Sequence, residues 1–225
     1  MNKKLRKILK FVLTITLFIT CWNICKKQIN YINNSRTYNT VQKQKNTYNN
    51  MSDFLYDKDY DWITLSETSI DYPLVSASDN QYYLTHNYLG EDDIGGAIYY
   101  DAADEPYSGS ITIIYGHSMR NGSMFNNLHS FLKDHERFKN SKLEIYNKEE
   151  KKVYVPIGYA VYTNEESFHR TADKMSASQA MSYIEGKSDY FIKGIDYTDT
   201  AHIIGLVTCD YSIYDGRLIV FYISE

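Results

Sequence analysis

Hydrophobic and polar positions divide the chain into three stretches. The first is an apolar run from Phe11 to Cys25, preceded by Lys3, Lys4, Arg6, Lys7 and Lys10 and closed by Lys26 and Lys27. Read from Ile8, with Lys10 snorkelling, it reaches the roughly 20 residues a membrane-spanning helix needs. No small-x-small cleavage site follows, so the pattern predicts an uncleaved signal anchor over residues 1–27 rather than a signal peptide. The larger positive cluster precedes the run, which places residues 1–10 inside and all that follows residue 27 outside.

Residues 28–55 are rich in Asn, Lys, Gln and Thr and carry apolar pairs three apart, Ile29/Ile32, Tyr38/Val41 and Tyr48/Met51. That spacing predicts a helical stem lying partly against the domain beyond it, with a solvated linker as the alternative.

From Tyr60 the pattern changes to short apolar strands separated by Gly, Asp and Asn clusters, at 62–65, 72–75, 96–100, 111–115, 143–146, 153–162, 202–208 and 217–223. About eight such strands predict a mainly β domain over 56–225, a closed barrel or sandwich. Pro156 marks a bulge or an edge. Two helices interrupt the strands: one over 123–132, with Met124, Phe125, Leu128, Phe131 and Leu132 at helical spacing, and one through Lys187 opened by the capping box Ser176 to Gln179.

Charge separates the parts further. Seven of the 24 Lys and Arg fall in residues 1–27, which hold no Asp or Glu, leaving 17 basic against 28 acidic residues in the remainder. An acidic exported domain is not a nucleic-acid binder. Acidic runs at Glu91-Asp92-Asp93 and from Asp101 to Glu105 have a calcium reading and a solvated-loop reading, of which the second is preferred. No cofactor loop or metal-ligand spacing is present, so neither cofactor nor metal is expected.

Cys21 and Cys25 lie one helical turn apart inside the apolar run and read as membrane filler, so Cys209 is the single thiol of the exported part. It ends the apolar strand 202–208, and Arg217 opens the next, with Asp215-Gly216 supplying turn chemistry between them. In such a hairpin Cys209 and Arg217 face each other, a thiol beside a guanidinium able to hold a thiolate or an oxyanion. A cysteine nucleophile also needs a proton-transfer group. His117 has the right setting, at the end of strand 111–115 between the small Gly116 and Ser118. His86, His129, His135 and His169 sit in polar surroundings where solvation is the default, and His202 reads as a structural histidine.

Leu206-Val207-Thr208-Cys209, an arginine eight positions on, and Gly116-His117-Ser118 at the end of an earlier strand resemble the sortase signature, over about residues 55–225. The helix at 176–187, the Met124-Phe125 segment and the long stem resemble class B. Gly205 is a departure, since the family usually has threonine there. The resemblance implies a closed eight-stranded sortase barrel with a helix inserted before the catalytic strand. It implies a membrane-anchored transpeptidase on a Gram-positive-type cell surface, acting on secreted proteins that carry a C-terminal sorting motif of LPxTG or NPQTN type, cut after Thr. The amine acceptor would be peptidoglycan or its lipid-linked precursor. Cys209 would be the nucleophile, His117 the general acid and base, and Arg217 the oxyanion and substrate stabiliser. Two other readings remain: a hydrolytic cell-wall cysteine peptidase, although such enzymes place Cys before His, and an inactive surface-binding domain.

Overall fold

The computed structural model describes residues 2–103, 106–163 and 175–224. His169, Asp104 and Glu105 of the readings above lie outside them. One helix, α1 (Lys3–Lys45), carries both the apolar run and most of the stem. At 1.5 Å per residue it is about 65 Å long. Every described residue before Asn30 on it is exposed. Its far end is not: Asn34, Tyr38 and Val41 are buried against the rest of the chain. After a turn, α2 (Met51–Leu55) buries Phe54 and Leu55 with Val41 and Trp62. The stem is therefore packed rather than a solvated linker, although of its three apolar pairs only Tyr38/Val41 is fully buried.

Among the described residues nine strands follow: β1 (Asp61–Leu65), β2 (Ile70–Val75), β3 (Ile98–Tyr100), β4 (Ile111–Tyr115), β5 (Leu143–Tyr146), β6 (Lys151–Thr163), β7 (Tyr190–Phe191), β8 (Ile203–Asp210) and β9 (Gly216–Ser224). Eight close into a mixed barrel in the order β5-β1-β2-β3-β4-β8-β9-β6, with β6 pairing back to β5, while β7 hangs on β6 outside the closure. Closure leaves no long free edge. The β2–β3 and β4–β8 pairs are parallel. The β6–β9 register slips between Pro156 and Gly158, where proline's missing N–H makes a bulge the natural solution.

The central strands are buried on both faces, which is why they read as unbroken apolar runs rather than as alternations. On β8, Ile204 and Leu206 point into the barrel core, and Ile203 and Val207 point out into a second core. Ala177, Ala180, Met181 and Ile184 of α4 (Ala177–Lys187) cover that outer face. Burying each large aliphatic side chain contributes about 1.5–3 kcal/mol. The Ser176–Gln179 capping box forms in both directions.

Two local expectations change. The 123–132 segment is not a full helix but a 3-10 turn over Phe125–Ser130. Met124 enters it at φ 56°, and Asn127 Nδ2 donates back to the Gly122 carbonyl at 2.8 Å, competing with helical bonding. Its apolar residues still plug the barrel: Phe125, Leu128 and Phe131 are fully buried. A further short helix, α3 (His135–Lys139), escaped the hydrophobic pattern; Asp134 caps it by accepting from Arg137 N at 3.0 Å.

Candidate active site

Three neighbouring strands bring the chemistry together. In the antiparallel β8–β9 ladder Cys209 is the direct partner of Arg217. On the other side of β8, the parallel β4 ladder pairs Tyr115 with Val207. Carried two residues further, this register sets Gly116 beside Thr208 and His117 beside Cys209. Two bonds hold the extension: Gly116 N donates to the Val207 carbonyl at 3.1 Å, and buried Thr208 Oγ1 donates to the Gly116 carbonyl at 2.7 Å. His117, Cys209 and Arg217 thus stand in a row across adjacent strands and line one cleft.

Strand alternation decides which face this is. Cys209 has the parity of Val207, and Arg217 that of Ile219, both in the outer core under α4. The site lies on that outer face. Cys209 is half-buried and unbonded to another cysteine. Arg217 is held at one end, its Nη1 donating to Asp215 Oδ1 at 3.0 Å and to the Gly216 carbonyl at 2.9 Å. Asp215 sits in the left-handed region at φ 47°, as the Asp-Gly turn chemistry anticipates.

His117 Nε2 lies 2.7 Å from the Leu84 carbonyl. A carbonyl can only accept, so the proton is on Nε2, and in the neutral ring Nδ1 keeps the lone pair. Tyr99 and Tyr115 wall the same cleft. Burial pushes both phenols up, the nearby Asp101 adds to it, and Cys209 adds further for Tyr99, so both remain protonated donors. Tyr115 Oη donates to Asp101 Oδ2 at 3.1 Å, and Asn80 Nδ2 donates to Asp101 Oδ1 at 2.7 Å. Tyr162, paired with Arg217 on β6, is pushed up to about 12 by burial, against a lowering by Arg217. Sequence reasoning missed Tyr99, Tyr115 and Asn80. The signal for Tyr115 was its parity with His117, two residues away on one strand.

The residue after Cys209 is structural. Asp210 is 5% exposed; its Oδ1 accepts from Ser212 N at 2.8 Å and from Ser212 Oγ, and its Oδ2 lies 3.2 Å from His129 Nε2. His129 is therefore paired rather than simply solvated. His135 is also engaged, stacked on Tyr190 with ring centroids 4.3 Å apart. His86 stacks on Tyr82 in an exposed loop. His202 Nε2 lies 2.8 Å from Thr112 Oγ1, and its pKa is lowered to about 4, first by burial, with Lys152 adding and a bond to the Gly109 backbone opposing. It is neutral and structural, as its position at a strand start suggests. Among the described residues no three His, Cys, Asp or Glu side chains are grouped to hold a metal ion. Two carboxylates of the acidic loops are engaged internally: Asp93 Oδ1 accepts from Asn34 and from Gly95 N, and Asp101 accepts from Asn80 and Tyr115.

A closed mixed barrel with a thiol, an imidazole and a guanidinium on three adjacent strands defines a cysteine-transpeptidase type of scaffold, and the similarities of the chain agree. The sortase domain model matches residues 63–222, and the chain belongs to the sortase family. It is 44% identical over 72 residues to sortase B of Listeria monocytogenes, a match spanning 32% of this chain and 29% of that protein. To sortase B of Staphylococcus aureus it is 28% identical over 163 residues, covering 71% of this chain and 67% of that one. The solved sortase B of Bacillus anthracis superimposes with a TM-score of 0.68 at 29% identity, over 87% of this chain and 98% of that structure. These relatives and the solved neighbour are sortase B proteins, in agreement with the class B resemblance of the sequence.

Proposed function

We propose that this chain is a membrane-anchored transpeptidase that cleaves a C-terminal sorting motif of LPxTG or NPQTN type after its threonine and passes the protein to a cell-wall amine. The observation that carries the reading is the alignment of His117, Cys209 and Arg217 across β4, β8 and β9 in one cleft.

In the first half-reaction the Cys209 thiolate attacks the threonine carbonyl carbon and forms the C–S bond. Arg217 faces the developing oxyanion across the hairpin, where a preorganised charge is worth most. His117 takes the thiol proton on Nδ1 as the thiolate forms. As the C–N bond breaks, the imidazolium passes that Nδ1 proton to the departing amine, leaving a thioacyl enzyme and a neutral ring that keeps its Nε2–H on the Leu84 carbonyl. In the second half-reaction an amine of peptidoglycan, or of its lipid-linked precursor, attacks the thioester and gives its proton to His117, and Cys209 leaves as thiolate. Protons and bonds balance over the cycle without any cofactor.

Residues 1–27 serve as the cytoplasmic end and anchor. The helix through them is long and apolar enough to cross a membrane, and its exposed Phe11, Leu17, Phe18 and Trp22 would be costly to leave in water. Residues 28–55 then form the stem and 56–225 the catalytic domain on the outer surface. Incubation with sorting-motif peptides, with and without an amine acceptor, tests the reading by mass spectrometry. Thioacyl enzyme and amine-dependent product are expected; hydrolysis indifferent to the amine would favour a peptidase, and an inert Cys209 a binding domain.

A further inference from the structure

The stem reaches the active site. Tyr38, 3% exposed, inserts its ring edge-on against Tyr72 of the barrel core at 5.3 Å, and its Oη donates to the Gly96 carbonyl at 2.5 Å. One turn earlier, Asn34 is 1% exposed and its Nδ2 donates to Asp93 Oδ1 at 2.8 Å, the same oxygen that accepts from Gly95 N at 2.8 Å. Two side chains of α1 thus grip residues 93–96, the returning arm of the loop between β2 and β3.

That arm is tied to the outgoing one. Asp93 N donates to the Thr85 carbonyl at 2.8 Å, and Ala97 N to the Tyr83 carbonyl at 3.0 Å. Between them, the Leu84 carbonyl accepts from His117 Nε2. Glycine is required where the pieces meet. A Cβ on Gly95 would stand 2.2 Å from Asn34 Nδ2. Gly96, at φ +57°, would bring a Cβ to 2.2 Å from the Tyr83 carbonyl oxygen and 3.1 Å from the His117 ring. Stem, loop backbone and imidazole are therefore in serial contact.

We propose that Asn34 and Tyr38 are positioning residues for His117, fixing its ring and its Nε2–H tautomer through Asp93, Gly96 and the Leu84 carbonyl. This rests on His117 as the proton-transfer group proposed above. The membrane-proximal helix is then part of the catalytic apparatus, because small displacements of a general acid and base lower the rate without changing the nucleophile.

The test uses the full-length chain in detergent micelles, with Tyr38→Phe, Asn34→Ala and the double variant. Long-range proton–nitrogen NMR of His117 should show the Nε2–H tautomer in the parent chain and a mixture in the double variant. With LPxTG- and NPQTN-type peptides, kcat should fall about tenfold at a KM within about twofold, and alkylation of Cys209 by iodoacetamide should continue at nearly the parent rate. An unchanged tautomer and kcat would overturn the proposal, as would a loss of kcat that merely follows the folded fraction in thermal unfolding. His117→Ala run alongside keeps the two questions apart: normal cleavage by it would remove the catalytic role of His117, while the tautomer signal would still report whether the stem holds the ring.

Discussion

Cys209 and Arg217 are direct partners in the β8–β9 ladder, so their side chains leave the same face of the hairpin at adjacent positions. The guanidinium does not drift there, because Asp215 and the Gly216 carbonyl hold Nη1 from the turn. A fixed planar cation beside a half-buried thiol is what the proposed oxyanion role of Arg217 requires.

In the proposed mechanism the three residues divide the labour, and substitution should separate them. Cys209→Ala is expected to abolish cleavage and thioacyl formation. Arg217→Lys keeps the charge and loses the planar fork, and should lower kcat/KM by about 100-fold. His117→Ala should cost about 10²–10⁴ in rate and leave Cys209 open to alkylation. Steady-state kinetics with a sorting-motif peptide checks all three; near-full activity of Arg217→Lys would remove it from the oxyanion role.

Thr208→Val keeps the shape of the side chain and deletes its bond to the Gly116 carbonyl, the contact that carries the β4–β8 register on to His117. Leaving that buried carbonyl unpaired should cost about 1–3 kcal/mol. Denaturant unfolding should show the loss, and kcat should fall with it.

Gly205→Thr restores the residue usual in the family, but here its Cβ would stand 2.7 Å from Ile113 Cδ1 and 3.1 Å from Ile219 Cδ1. Those methyl ends must shift, so overpacking should destabilise by about 1–3 kcal/mol. Cys209 lies beyond the crowded spot, and its alkylation rate should be unchanged; a more stable variant would show that the outer core has slack.

His202 makes stability depend on pH. Above about pH 6.5 the ring is neutral in folded and unfolded chains alike. Between 6.5 and the folded value of about 4, only the unfolded chain takes up the proton. Stability should therefore be whole above this window and fall as pH drops through it, by up to about 3 kcal/mol. His202→Gln, able to keep a bond to Thr112, should flatten that part of the curve relative to the parent chain in urea titrations.

The sequence by itself determined whatever depends on neighbours along the chain. Periodicity located strands β4 and β5 to the residue, the capping box started α4, and Asp215-Gly216 closed the hairpin that pairs Cys209 with Arg217. The thiol was legible because no other cysteine follows the apolar run. Tertiary structure decided what depends on residues far apart. His117 falls beside Cys209 only through a parallel pairing of strands 92 residues apart, and such a crossover leaves no local pattern. The pairing of His129 with Asp210, the tyrosine walls and the seat of Asn34 and Tyr38 on the Gly95-Gly96 loop are of the same kind. The 3-10 turn at Phe125–Ser130 shows the boundary between the two: its apolar spacing correctly marked a buried face, but local asparagine bonds and the barrel mouth chose the backbone that presents it.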